Sequence, residues 1–69
     1  MESKWKKVFS SNYEYQAVLV EQALANYGIA CIQMNKRDSA YTIGQVEVLV
    51  SQEDVLEAIN IINKEVRFE

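Results

Sequence analysis

Residues 33–50 read QMNKRDSAYTIGQVEVLV. The right-hand part alternates: Val46, Val48 and Val50 fall on one side, Gln45 and Glu47 on the other. A period of two describes a strand with one face toward a core and one toward water. The left-hand part is polar and charged, and Gly44 closes it. Just upstream, residues 29–34 (IACIQM) are apolar and bounded by Gly28 and Asn35, which predicts another strand. A charged connection between two strands therefore occupies the middle of the chain. What flanks it decides the fold.

Residues 5–10 (WKKVFS) are β-rich and predict a first strand. Ser11, followed three residues later by Glu14, has the spacing of a capping box, in which the hydroxyl accepts from a first-turn N–H and the carboxylate reaches back. The helix it opens should run to about Tyr27, with Tyr13, Ala17, Val20, Leu24 and Tyr27 on one face. Gly28 then supplies a left-handed C-terminal cap. On the other side of the central strand, residues 51–54 (SQED) form a second capping box. Val55, Ala58, Ile59 and Ile62 are the expected inner face of a second helix. Glu53 and Asp54 lie at its positive end and Lys64 at its negative end, as the helix dipole favours. Residues 66–69 (VRFE) read as a short fourth strand. The predicted class is α+β: a ferredoxin-like β-α-β-β-α-β domain over residues 1–69, a four-stranded antiparallel sheet with two helices on one face.

The chain has 69 residues, 49% of them hydrophobic, and no Pro. That length supports one domain with a thin core, and the composition argues against disorder. Seven basic against ten acidic residues give a net charge of −3, the wrong sign for a phosphate-binding surface. The lone Cys31 has no partner for an internal disulfide, and the start MESKWKKVFSS lacks the features of a signal peptide. No apolar run approaches the roughly 20 residues of a membrane helix. The expectation is a cytoplasmic protein with neither a nucleic-acid nor a membrane partner.

Catalytic readings find little support. There is no His, which removes the commonest general base and transition-metal ligand. Glu53, Asp54 and Glu57 cluster, but a helix start explains them. Cys31 sits in an apolar strand with no base to activate it. The loop after the first strand reads SSNYE, without the Gly and Arg of the ferredoxin-like acylphosphatases. Only Gly28 and Gly44 are present, and neither fits a phosphate loop. The RNA-recognition module shares the predicted order of elements but stacks bases on aromatics of its first and third strands. The third strand here has none and presents Glu47. The expectation is therefore no enzyme activity and no cofactor.

Several features coincide in order: Trp5 at the head of the first strand, EYQAVLVEQALANYGIAC running into a Gly-Ile strand start, and a charged loop ending in Gly44 before VEVLVSQEDVLEAINII. In this the chain resembles the small bacterial domains described as signal-transducing proteins, similar in fold to the PII-type nitrogen regulators. The resemblance spans residues 5–64 and implies a ferredoxin-like fold and a regulatory role. PII regulators have a longer chain, a much longer loop between the second and third strands, and nucleotide-binding segments. Those features are missing from this sequence, so the resemblance does not extend to trimers or ATP binding.

Two surfaces remain as candidates. In the charged loop, Lys36, Arg37, Asp38 and Tyr41 are the expected partner-binding residues: a guanidinium can fork onto a carboxylate or phosphate, and a phenol adds amphipathic contact area. The alternative is a solvated hairpin tip. Apolar residues are also in surplus on the second sheet face. Trp5 and Phe9 share a phase in the first strand, and Leu49 opposes the valine row. Trp5 or Phe9, Leu49 and part of the second strand are the expected oligomer interface, in a homodimer. The functional expectation is a non-enzymatic regulatory or signal-transducing module that binds a protein partner. The alternatives are a small-metabolite sensor with its ligand at a subunit interface, and a structural accessory domain.

Overall fold

A computed structural model of the chain describes residues 4–35 and 46–67. Strand β1 spans Trp5–Ser11, helix α1 Glu14–Asn26, β2 Cys31–Asn35 and β3 Val46–Ser51; a 3-10 turn over Gln52–Asp54 leads into α2, Val55–Glu65. The sheet order is β1-β3-β2, with β3 antiparallel to both neighbours. It follows that β1 and β2 run parallel to each other with β3 between them, and α1 is the crossover. The structure is thus a small α+β fold with a three-stranded antiparallel sheet and two helices. The fourth strand expected over 66–69 is not shown. Val66 leaves α2 in extended backbone and packs against the core; neither it nor Arg67 is in a strand. Residues 68 and 69 lie outside the described residues.

The central alternation decides which face is inside. Val46, Val48 and Val50 of β3 are all buried, beneath Ala17, Val20 and Leu24 of α1 and Ala58 and Ile61 of α2. Both helices therefore cover the same side of the sheet. Tyr13 and Tyr27, placed by spacing on the inner face of α1, stand exposed at its two ends. In α2, Ile61 is buried and Ile59 is exposed, the reverse of the expected assignment. Ile59 lies about 100° around the helix from Ala58, and only the position of the sheet selects the flank carrying Ile61 and Ile62.

One local feature inverts the reading of β1. Lys7 stands opposite Leu49, but Phe9 stands opposite Val48, so Val8 is an extra residue in the ladder. Such a bulge shifts the side-chain phase by one. Residues directly across an antiparallel pair share a face. Trp5, Lys7 and Ser10 thus go with Ser51, Leu49 and Glu47, on the side away from the helices. Phe9 goes with Val48 and packs against the core, as does Val8. The expectation that Trp5 and Phe9 share a face is corrected by this bulge.

Neither capping box forms as spaced. β1 runs through Ser11, so α1 begins only at Glu14, with Tyr13 as its N-cap. Ser11 instead accepts from the Tyr13 backbone N–H at 3.0 Å and donates to Oε1 of Gln16 at 2.5 Å. At α2 the 3-10 turn takes the place of the first helical turn, and no side chain caps it. The C-terminal cap of α1 does form. Gly28 adopts φ of +77°, its N–H donates to the Ala25 carbonyl at 2.9 Å, and the Ile29 N–H donates to that of Leu24 at 3.0 Å. A Cβ added at Gly28 would meet nothing within 4 Å, so its cost is conformational alone. Gly28→Ala is expected to lower stability by about 1–2 kcal/mol, read as a lower urea midpoint at unchanged slope.

Candidate functional site

The side of the sheet away from the helices is built by all three strands. From β1 come Trp5 and Lys7, from β3 Glu47 and Leu49, from β2 Ile32 and Met34. The register sets them in rows: Lys7, Leu49 and Ile32 across the sheet, then Ser10, Glu47 and Met34 beside them. Trp5 is 38% exposed, Ile32 38% and Met34 45%, which makes this a solvent-facing apolar field. Leu49, on the central strand, is half-buried between its neighbours. Lys7 Nζ lies 3.6 Å from Glu47 Oε2, the lysine open to solvent and the carboxylate largely shielded. With its lysine open to solvent, the pair contributes only about 1 kcal/mol or less to stability. Its consequence is orientation: the apolar field carries one cation and one anion at fixed places.

Of the residues expected at an interface, the structure brings Trp5 and Leu49 to this face and sends Phe9 to the core side. Lys36, Arg37, Asp38 and Tyr41 lie outside the described residues. The ends of their segment are defined, however: Asn35 and Val46 are register partners, so residues 36–45 leave and rejoin the sheet at one place. Ser11 pairs with Val46 at that same end. The exposed rings of Tyr13 and Tyr15 follow directly, with centroids 5.8 Å apart. Ile32 and Met34 are functional candidates that residue patterning left unassigned, because strand two is apolar on both faces. Only its register against β3 separates Cys31 and Gln33, toward the helices, from Ile32 and Met34.

Other polar groupings on the surface have structural explanations. The Tyr27 hydroxyl donates to Glu65 Oε2 at 2.6 Å, and Lys64 Nζ stands 5.8 Å from the ring centroid. This ties the C-terminal ends of the two helices together. The hydrogen bond to Glu65, then desolvation, then the carboxylate charge raise the phenol above its ordinary value of 10.0. The folded state thus favours the neutral phenol. That contribution is complete below the ordinary phenol pKa and is lost as pH rises through the raised one. Glu65→Gln is expected to bring the Tyr27 midpoint back toward the ordinary value, measured by ultraviolet absorbance during alkaline titration.

Burial, then the Glu21 charge, raise the Cys31 thiol above 9.0. It is therefore protonated at neutral pH, the reverse of what a nucleophile needs. An open groove of about 420 Å³ lies at the other end of the sheet, lined by Lys4, Ser51, Gln52 and Glu53. Among the described residues no buried side-chain polar atom lacks a hydrogen-bond partner, so none is aimed unsatisfied into it. Among the described residues, too, no three metal-ligating side chains come together. No helix there is long and apolar enough to cross a membrane.

Fold and surface together define a small α+β domain whose helices cover one sheet face and leave an apolar, ion-paired second face to solvent. Residues 5–65 match the family described as "putative prokaryotic signal transducing protein", and the chain belongs to that family. No curated protein and no solved structure matches the chain.

Proposed function

We propose that this chain is a non-enzymatic regulatory module that transduces a signal by protein contact, and that the uncovered sheet face is its contact surface. The observation that carries this reading is the exposed cluster of Trp5, Ile32 and Met34 around Leu49 and the Lys7–Glu47 pair. Protein interfaces combine this kind of apolar centre with oriented charges at the rim, and tryptophan is prominent among their energetic hot spots. The family description supports a signalling role. A sequence without His supports the non-enzymatic part of the reading.

In the same reading the fold is ferredoxin-like and related to the PII type, the domain needs no cofactor, and it works in the cytoplasm. The 36–41 segment, with Lys36, Arg37, Asp38 and Tyr41, is a second contact that selects a polar partner. The β1-β3-β2 order with a split β-α-β crossover supports the ferredoxin-like assignment.

Capture from native lysate on immobilised protein tests this function. Trp5→Ala is expected to weaken retention of the captured partner by about thirtyfold, the effect of losing an interface hot spot. Charge reversal at Lys36 and Arg37 together should weaken it by about tenfold. A partner held equally well by wild type and both variants would contradict the reading.

A further inference from the structure

We infer that the open sheet face takes a partner of particular chemistry: an acidic segment of another protein, apolar at its centre, with carboxylates along the margin that meets β1. This rests on the contact face proposed above and names what that face binds.

The net charge of the chain conceals a division between its two layers. Residues 1–13 and 29–50, which supply the strands, hold five basic and three acidic residues; residues 14–28 and 51–69, which supply the helices, hold two and seven. The −3 of the whole chain is thus +2 on the strand segments and −5 on the helix segments. Among the described residues the helical layer exposes Glu14, Glu53, Glu57 and Glu65. The sheet contributes one carboxylate, Glu47, and it is shielded: its side chain is 12% exposed, against 53% for its partner Lys7. A group approaching the open face meets the lysine before the carboxylate.

The cations of the sheet are concentrated beside its tryptophan. Lys4, Trp5, Lys6 and Lys7 are consecutive and all exposed. Lys7 shares the open face with Trp5. Lys4 and Lys6 have the opposite phase, but β1 is an outer strand of the described sheet, so they border the face at its margin. Among the described residues no carboxylate pairs with either of them. From that margin the apolar side chains continue through Leu49 to Ile32 and Met34. The face is an apolar field with a cationic border along one side.

Charge complementarity selects the occupant. Carboxylates are drawn to the β1 margin and repelled by the helical layer, which orients an acidic partner onto the sheet. Its apolar side chains then cover Leu49, Ile32 and Met34. A nucleic acid matches this surface poorly. Among the described residues the face offers one ring for stacking, it carries Glu47, and a phosphate backbone leaves its aliphatic part uncovered.

Trp5 is the sole tryptophan of the chain, so its emission reports directly on cover of this face. Two synthetic peptides with one apolar pattern test the proposal, the first with glutamate and the second with lysine at every polar position. The glutamate peptide is expected to shift the emission to the blue and to bind about tenfold more tightly than the lysine peptide at low salt. That gap should close in about 1 M NaCl, where surface charges are screened. Lys4→Glu/Lys6→Glu, with native circular dichroism, should abolish the preference. Binding of neither peptide, equal binding of both, or an unchanged preference in the double variant would overturn the proposal. A shift caused by single-stranded oligothymidylate and not by the glutamate peptide would overturn it in favour of a nucleic acid. A shift on concentrating the protein alone would overturn it in favour of a second copy. Failure here is distinct from failure of the contact face, which stands if a captured partner shields Trp5 and Met34 whatever its charge.

Discussion

Leu24→Ala is expected to remove about 2–5 kcal/mol of stability, the largest single-site loss among the described residues. Among the described residues Leu24 is the largest of the fully buried side chains, and it lies in α1 above the valine row of β3. A domain of this length has in total about 3–10 kcal/mol. The substitution should therefore leave a substantial unfolded fraction at 37 °C. Nothing at the site offers a simple route to collapse, because its neighbours Val20, Val48 and Val50 are themselves fully buried. Urea titration at low temperature, where the variant is still mostly folded, should show a fallen midpoint and an unchanged slope. A loss below about 1 kcal/mol would mean that the core is not centred on α1.

The second large effect is a contrast between two aromatics of one strand. Phe9→Ala should cost about 2–3 kcal/mol, less than the roughly 3–5 kcal/mol of a fully buried aromatic because Phe9 is only half-buried. Trp5→Ala should cost below about 1 kcal/mol, since its ring stands on the open face. In a regular strand positions four apart face the same way, and the two changes would be felt alike. Unequal losses measured by thermal or urea unfolding are thus a direct reading of the bulge at Val8. Equal losses would place both rings on one side and remove the bulge.

The same bulge marks the limit of what residue patterning makes legible. Val46, Val48 and Val50 read as an inward row, and they are one, because β3 is central and both of its neighbours hold its register. Ala17, Val20 and Leu24 likewise follow from helical spacing, and Gly28 from its position after the last helical turn. In β1 the pattern misleads because an inserted residue leaves no trace in composition: WKKVFS alternates as well with Phe9 outward as inward. The ambiguity of β2 has a different source. Its residues are apolar in both phases, so only pairing with β3 separates Cys31 from Ile32. The exchange of Ile59 for Ile61 in α2 is of this second kind, since a helix with apolar residues on adjoining flanks accepts two orientations until a sheet is set beneath it. Both capping boxes matched in spacing and failed in place, because β1 and the 3-10 turn occupy the residues that the caps require.

The candidate face was legible in part. Leu49 follows from opposing the valine row, whereas Trp5 and Phe9 are equivalent by phase, and only the bulge leaves Trp5 on this face and turns Phe9 inward. Lys7 and Glu47, by contrast, became partners only through the β1–β3 register. The face is a property of three strands laid side by side, and no single stretch of sequence contains it.

Oxidative footprinting of the chain with and without its captured partner tests the central claim most directly. Trp5 and Met34 both oxidise readily and both lie on the uncovered face. Contact through that face predicts that their labelling falls sharply in the complex, while Tyr15 and Leu56, exposed on the helices, label as before. Protection of Tyr15 and Leu56 with Trp5 and Met34 unchanged would put the contact on the helical side and contradict the account.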